Sequence, residues 1–254
     1  MFLKVVGFQN VLDILVKAKE TVKSSLNALE YIDYETYLIC KEYANFNSPF
    51  QDPALTNYLQ SVKNNNSKRV YVIIAEIIGD DDAYLLKLIE NLYEKIAHLS
   101  SEDVLAETKA QMHQIWDFRE HVVMHLKNEG TILKYDLSIP VIYFEQICED
   151  VRQQFEGFIK YCTGYGHIGD SNIHLQVIFS KERAVSLADK QKVDDYIYSR
   201  VAEMNGSISA EHGIGQLKRP YLALMKSPEV LRYLAQIKKS LDPNGILNPQ
   251  KTLI

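Results

Sequence analysis

Two runs of strand-forming residues, Tyr161 to His167 and Ile173 to Phe179, flank Gly169-Asp170-Ser171-Asn172, four residues that favour turns. The pattern predicts a four-residue β-hairpin, which commits the chain to antiparallel sheet. If Ile168 faces Ile173 across the turn, His167 faces His174, and directly opposed residues project to one side with Cβ atoms roughly 5 Å apart. That is a chelating distance. Imidazole nitrogen suits zinc, and a catalytic zinc site takes three protein ligands and keeps one position open.

The third ligand is expected in Ser209-Ala210-Glu211-His212-Gly213-Ile214-Gly215, where a carboxylate adjoins an imidazole ahead of two glycines. Glu211 would complete a set of two histidines and one carboxylate. His212 would then be free to act as a base, because a neutral imidazole titrates near neutral pH. The same residues could serve a zinc hydrolase in which His212 activates water. The chain lacks the His-Glu-x-x-His helix of the common zinc proteases.

Helical and strand patterns alternate along the chain. Val11, Leu15, Ala18 and Val22 follow helical spacing, and Leu26 to Ile32 reads as a strand. Arg69 to Ile78 is a second β-rich run. Asp80 to Asp82 can cap a helix carrying Leu85, Ile89, Leu92 and Ile96 on one face. One longer helix is expected through Met112, Ile115, Trp116, Val122, Val123 and Leu126. Thr131 to Leu137 alternates, which sets Leu133, Tyr135 and Leu137 on one face and Lys134 on the other. Val193, Ile197, Val201 and Met204 mark a further helix that Gly206 is placed to stop, and Ser227-Pro228-Glu229 opens the last one. Asn64-Asn65-Asn66-Ser67 reads as a polar loop. The succession predicts an α+β fold, with antiparallel sheet covered on one face and two β-α-β-type units meeting near residue 128.

At 254 residues, 46% apolar and 24% charged, the chain has the means to bury a substantial core. A net charge of −5 gives no basis for nucleic-acid binding or a basic membrane-facing surface. No apolar run approaches a membrane span, and Glu76 interrupts the nearest, Val70 to Ile78. No signal or transit segment is read before Gln9, where the sequence already reads as structure. Cys40, Cys148 and Cys162 are odd in number and widely spaced, which predicts reduced thiols in an intracellular compartment.

Arg119 falls on the apolar stripe of its helix, four residues after Ile115 and four before Val123. Such an arginine either packs its stem while its head reaches water or a carboxylate, or presents its planar fork to a substrate carboxylate. Lys134, facing away from its strand's apolar side, fits either solvent or a cleft.

Four segments in order carry a resemblance over most of the chain. They are Lys134-Tyr135-Asp136-Leu137-Ser138, the run from Gly164 to Leu175, the Ser209 to Gly215 segment, and Leu241-Asp242-Pro243-Asn244-Gly245-Ile246-Leu247-Asn248-Pro249. Together they resemble the C-terminal half of the D-2-hydroxyglutarate dehydrogenases. More broadly they are similar to the C-terminal region of flavin-linked 2-hydroxy acid dehydrogenases, including D-lactate dehydrogenases and glycolate oxidase subunits.

The resemblance implies a ferredoxin-like antiparallel sheet covered by helices, with C-terminal helices that pack back onto a flavin domain. It divides the sequence into a substrate and cap domain, residues 1–205, and a C-terminal helical segment, residues 206–254. It implies FAD-dependent oxidation of a D-2-hydroxy acid, D-2-hydroxyglutarate foremost, to the 2-oxo acid. The zinc ligands would be His167, His174 and Glu211, and the base His212, itself a substrate contact. Arg119, Lys134 and Gln176 would hold the substrate and Asn248 would help seat the flavin. Electron-transfer flavoprotein as acceptor and a mitochondrial location are inherited expectations.

Two positions depart from the family pattern. Members specific for 2-hydroxyglutarate resemble Arg-Glu-Arg-Ile-Thr where this chain has Arg119-Glu120-His121-Val122-Val123, so a hydroxyl gives way to the methyls of Val123. They carry asparagine at Gln176. Losing one hydrogen bond to a buried polar group costs on the order of 1 to 3 kcal/mol, enough to change preference among hydroxy acids. The flavin domain's glycine-rich loops have no counterpart, since Gly7 is the only glycine before Gly79. The expectation is therefore a substrate and metal half that works either within a longer enzyme or as a module against a separate flavin-binding chain.

Overall fold

The computed structural model describes residues 1–44, 46–64 and 68–252, so residues 65–67 of the polar tract fall outside the described residues. The chain opens with β1 (Phe2–Val6), α1 (Phe8–Val22) and β2 (Leu26–Asp33). Two helices, α2 (Tyr34–Tyr43) and α3 (Leu55–Lys63), precede β3 (Val70–Ile77), and α4 (Asp82–Ile96) leads to β4 (Ser100–Val104). Next come α5 (Lys109–Glu120), α6 (Val122–Leu126), β5 (Gly130–Ser138) and α7 (Phe144–Gln154). The hairpin β6 (Tyr161–His167) and β7 (Asn172–Ser180) is followed by α8 (Leu187–Glu203), α9 (Leu222–Met225) and α10 (Pro228–Leu241).

The described strands form one seven-stranded antiparallel sheet in the order β4-β1-β3-β2-β6-β7-β5. Its first four strands make a ferredoxin-like unit, β1-α1-β2-β3-α4-β4, with α2 and α3 inserted. The sequence β5-α7-β6-β7-α8 repeats that topology, its fourth strand reduced to the bridge between Ser138 and Ser207. The two units meet where β2 pairs with β6 over three residues: Glu30 with His167, Tyr31 with Gly166 and Ile32 with Tyr165. This bears out the α+β expectation and the paired units.

Alternation along the strands supplies two cores rather than one. Leu29, Tyr31, Tyr135, Leu137, Leu175 and Val177 face a layer built from α1, α4, α7 and α8. The opposite side chains, among them Ile32, Val72, Ile74, Tyr165 and Ile178, meet α2, α3, α5 and α6. Covered on one face only was the expectation; the second face is covered as well, but in part. Where α5 and α6 end, that face carries charged and polar residues.

The expected stripe of α1 is buried at Val11, Leu15, Ala18 and Val22, and Asp81 caps α4 through the Tyr84 amide. The single helix expected through Leu126 is instead broken at His121, whose backbone (φ −91°, ψ 6°) ends α5 and starts α6. There the His121 ring nitrogen competes for the Asp117 carbonyl at 2.8 Å.

Gly206 does not stop α8 by adopting a left-handed conformation. Asn205 does, at φ 55°, and the Gly206 amide closes the turn onto the Val201 carbonyl at 2.9 Å. Glycine stands at 206 for space, since a Cβ there would lie 2.6 Å from Ile139 Cγ2 and 2.7 Å from the Ser138 oxygen. Gly206→Ala should therefore lower the unfolding free energy by about 1–3 kcal/mol, the usual cost of overpacking. Urea denaturation checks this, and an unchanged midpoint would show that the β5 edge yields freely.

Candidate functional site

The polar stretch of the sheet lies around the β6–β7 hairpin. The turn between these strands is displaced by one residue from the expected position. Residues Ile168–Asp170 form a single 3₁₀ turn, Ser171 is left-handed at φ 60°, and β7 already begins at Asn172. Consequently His174 is paired with Tyr165, not with His167. The physical reason lies in Gly166 (φ 152°), whose missing Cβ would meet the Asn172 carbonyl oxygen at 2.5 Å, so the strands close one step earlier. A two-residue slip in pairing preserves the face, and the imidazoles remain diagonal neighbours with ring centroids 5.4 Å apart.

Glu211 arrives from the segment after α8. Its Oε1 accepts a hydrogen bond from Asn172 Nδ2 at 2.8 Å and lies 3.5 Å from His167 Nε2. His167, His174 and Glu211 each offer a ligand atom within 4.8 Å of the others. Two bonds of about 2.1 Å span at most about 4.2 Å, so a small contraction would bring these atoms to zinc-binding distance.

Asp136 fixes this segment to the sheet. It faces His174 across the β5–β7 pairing, and its Oδ2 accepts the backbone amides of Ala210 at 3.1 Å and of Glu211 and His212 at 2.9 Å each. Burial would raise the Asp136 carboxyl. The amides of His212 and Glu211, with the nearby His212 and Lys218 side chains, outweigh it and hold the group below its ordinary range.

Two further carboxylate contacts shape the histidines. Glu30 Oε1 lies 2.6 Å from His167 Nδ1, and Glu30 Oε2 accepts from Arg119 Nε at 2.8 Å. The hydrogen bond to Glu30 raises the His167 pKa against the effect of burial. Burial would raise Glu30 too, but His167 and Arg119 together keep it below the usual carboxylate value. His174 is pushed down to about 4, first by burial and then by Arg119 and His167, so its imidazole is neutral at physiological pH.

Arg119 is 7% exposed and turned toward Glu30; its Nη2 lies 2.6 Å from Oε2 but outside hydrogen-bonding geometry, and its guanidinium lies over the Tyr165 ring. Lys134 is exposed on β5 opposite Gln176, which in turn faces Thr163 on β6. His212 has 68% of its side chain exposed and its ring 6.3 Å from that of His174. Val123 packs part-buried against the α2–α6 core. Asn248 stands apart, left-handed at φ 46° in the C-terminal segment, with its carbonyl on the Lys251 amide. The three cysteines are buried and free.

Sequence reasoning missed Glu30, Asp136 and Asn172 as parts of the site. A signal was present at two of them. Glu30 interrupts the apolar run Leu29-Tyr31-Ile32, and Asp136 shares a strand face with Lys134. Asp136 Oδ1, Thr163 Oγ1, Asn172 Oδ1 and Gln176 Oε1 are buried on this same face without a hydrogen-bond partner among the described residues. Orphaned acceptors of this kind each cost about 1–3 kcal/mol, so their clustering fits a surface completed by a cation or a hydrogen-bond donor.

Over residues 1–252 the chain matches the family described as FAD linked oxidases, C-terminal domain. The chain belongs to this family. It is 30% identical over 257 residues to "D-2-hydroxyglutarate dehydrogenase, mitochondrial" of Rattus norvegicus, covering 99% of this chain and 44% of that protein. Against the protein of that name from Arabidopsis thaliana it is 34% identical over 252 residues, covering 94% and 40% respectively. The chain thus spans less than half the length of these relatives. Among solved structures, p-cresol methylhydroxylase with substrate bound superposes with a TM-score of 0.63 at 10% identity, covering 100% of this chain and 53% of that one. At that identity the likeness concerns the fold alone.

Asp136 generates the test of this site. Asp136→Ala should cost about 2 kcal/mol in unfolding free energy, the scale of hydrogen bonds to a charged group, and speed amide exchange at Ala210 to His212. Because the folded carboxyl is depressed, its contribution is present above the ordinary carboxylate range and lost as pH falls through the lowered value. Exchange at these amides should therefore rise on acidification in the parent protein and be pH-flat, once intrinsic rates are corrected, in the variant. Equal protection in both would show that the segment is held by other contacts.

Proposed function

We propose that this chain is the substrate- and metal-binding part of an FAD-dependent dehydrogenase that oxidises a D-2-hydroxy acid to the 2-oxo acid, with D-2-hydroxyglutarate the first candidate. The observation that carries the reading is the convergence of His167, His174 and Glu211 on one sheet face beside His212, in a member of the FAD linked oxidase family. The named relatives, D-2-hydroxyglutarate dehydrogenases of animals and plants, support the substrate class.

A zinc ion held by His167, His174 and Glu211 would supply Lewis acidity toward the 2-hydroxyl and its neighbouring carboxylate, and a flavin would accept hydride. His212 would take the hydroxyl proton; its solvent-facing side chain, next to Glu211 in sequence, supports this. Loss of that proton from oxygen and of hydride from C2 turns the alcohol into the ketone. Lys134 and Gln176, neighbours across β5 and β7, would orient the acid, with Arg119 at the edge of the same face. Asn248 would help seat the flavin.

The segment 206–254 would pack toward the flavin domain. Supporting this, Val230, Tyr233, Leu234, Ile237 and Leu241 make an apolar stripe along α10 that is exposed here. The same reading makes the mitochondrion the location, as the relatives' names have it, and electron-transfer flavoprotein the acceptor. Val123 favours a shorter substrate as the second reading, since the methyls beside Arg119 offer nothing to a second carboxylate. D-Lactate then replaces D-2-hydroxyglutarate in the same chemistry.

Elemental analysis of the purified protein should return about one zinc, absent from His174→Ala, because ligand loss from a three-residue site removes the metal. Once the protein is loaded with zinc, D-2-hydroxyglutarate should raise its melting temperature and the L enantiomer should not, with D-lactate deciding between the two substrates. No zinc in either protein, or equal shifts from both enantiomers, would overturn the proposal.

A further inference from the structure

We propose that Glu30 is the positioning residue of the metal centre, and that Arg119 serves it first as the counter-ion of Glu30. The inference rests on the zinc reading of His167, His174 and Glu211 given above. Glu30 is 2% exposed in the middle of β2, between the apolar residues Leu29, Tyr31 and Ile32. A carboxylate buried there is costly unless each oxygen is engaged.

The way the oxygens are shared is informative. An arginine–carboxylate pair that existed only to neutralise itself would use both oxygens on the guanidinium fork. Here Arg119 is confined to Oε2, and Oε1 is given to His167 Nδ1 at 2.6 Å. With the proton held at Nδ1, the bare nitrogen of His167 is Nε2, which is the atom turned toward Glu211 at 3.5 Å. Glu30 thereby selects the tautomer and fixes the ring plane that a metal ligand needs.

The second imidazole is braced from the same group of residues. Arg119 lies 4.8 Å from the Tyr165 ring centroid, and the Tyr165 ring lies 5.1 Å from that of His174, its partner across β6 and β7. Glu30, Arg119 and Tyr165 thus form a support that reaches both histidines. A substrate-binding arginine alone would leave metal affinity unchanged on removal. An arginine that balances Glu30 would not.

Cobalt(II) binding to the 254-residue chain tests this, with affinity measured by chelator competition and the d–d absorption band recorded. Two variants are compared with the parent: Glu30→Gln, which keeps the shape, and Glu30→Leu combined with Arg119→Met, which removes both charges together and so leaves no unpaired ion to unfold the protein. Melting temperatures in excess chelator report folding separately. The double variant should bind cobalt about 10- to 100-fold more weakly, with an altered band and a melting temperature close to the parent's. Glu30→Gln should weaken binding in the same direction and decides the matter if the double variant does not fold. Parent and variants binding alike with one spectrum would overturn this inference and leave the zinc reading intact. Failure of the parent itself to bind would overturn both.

Discussion

Three residue pairs between β2 and β6 hold the two halves of this sheet together, and the site depends on them. The seam pairs Glu30 with His167, Tyr31 with Gly166 and Ile32 with Tyr165 before β2 turns away into α2. Asp33, the cap of α2, closes the seam by accepting the Gly164 amide at 2.8 Å and the Arg152 guanidinium at 3.1 Å. A strand register is fixed wherever one face is buried, because a one-residue slip would exchange every inward and outward side chain. Here Tyr31 must enter the α1–α8 core and Ile32 the opposite one. The same alternation leaves Glu30 no position except beside His167.

The second face of the sheet divides its work. Where α2, α3, α5 and α6 cover it, aromatic packing predominates, as in the stacked rings of Phe2 and Phe50. Beyond α6 the cover stops, and the strands present His167, His174, Gln176 and Lys134 in place of apolar residues. Asp136 then draws residues 209–212 onto this bare part, engaging three successive backbone amides and the Ser209 hydroxyl with one oxygen. Such a nest of amides is the usual device for holding an anion. It brings Glu211 to the histidines by backbone contacts, so that side chain reaches Asn172 and His167.

Much of this was legible in the sequence, for reasons that follow from the periodicities. The amphipathic spacing of α1, the Asp81 cap and the Ser227-Pro228 start needed only local rules. The histidine pair was read on the correct face although its pairing was off by two residues, because face depends on parity alone. Glu30 escaped because its partner His167 lies 137 residues away, and no local pattern specifies which strands become neighbours. Arg119 was recognised as a cation on an apolar stripe, but only the structure shows the carboxylate to which its head turns. Gly206 was read as a helix stop, whereas its role is steric and becomes visible only once Ile139 is packed over it.

We propose the hairpin histidines and Glu211 as a nitrogen and oxygen site for zinc, ordered by this chain's own fold. X-ray absorption at the zinc K edge of the metal-loaded protein tests it most directly. A nearest shell of nitrogen and oxygen at about 2.0–2.2 Å with the outer scattering of two imidazoles is expected. A sulfur shell at about 2.3 Å would contradict it, since that would require a cysteine to hold the metal where the fold buries all three.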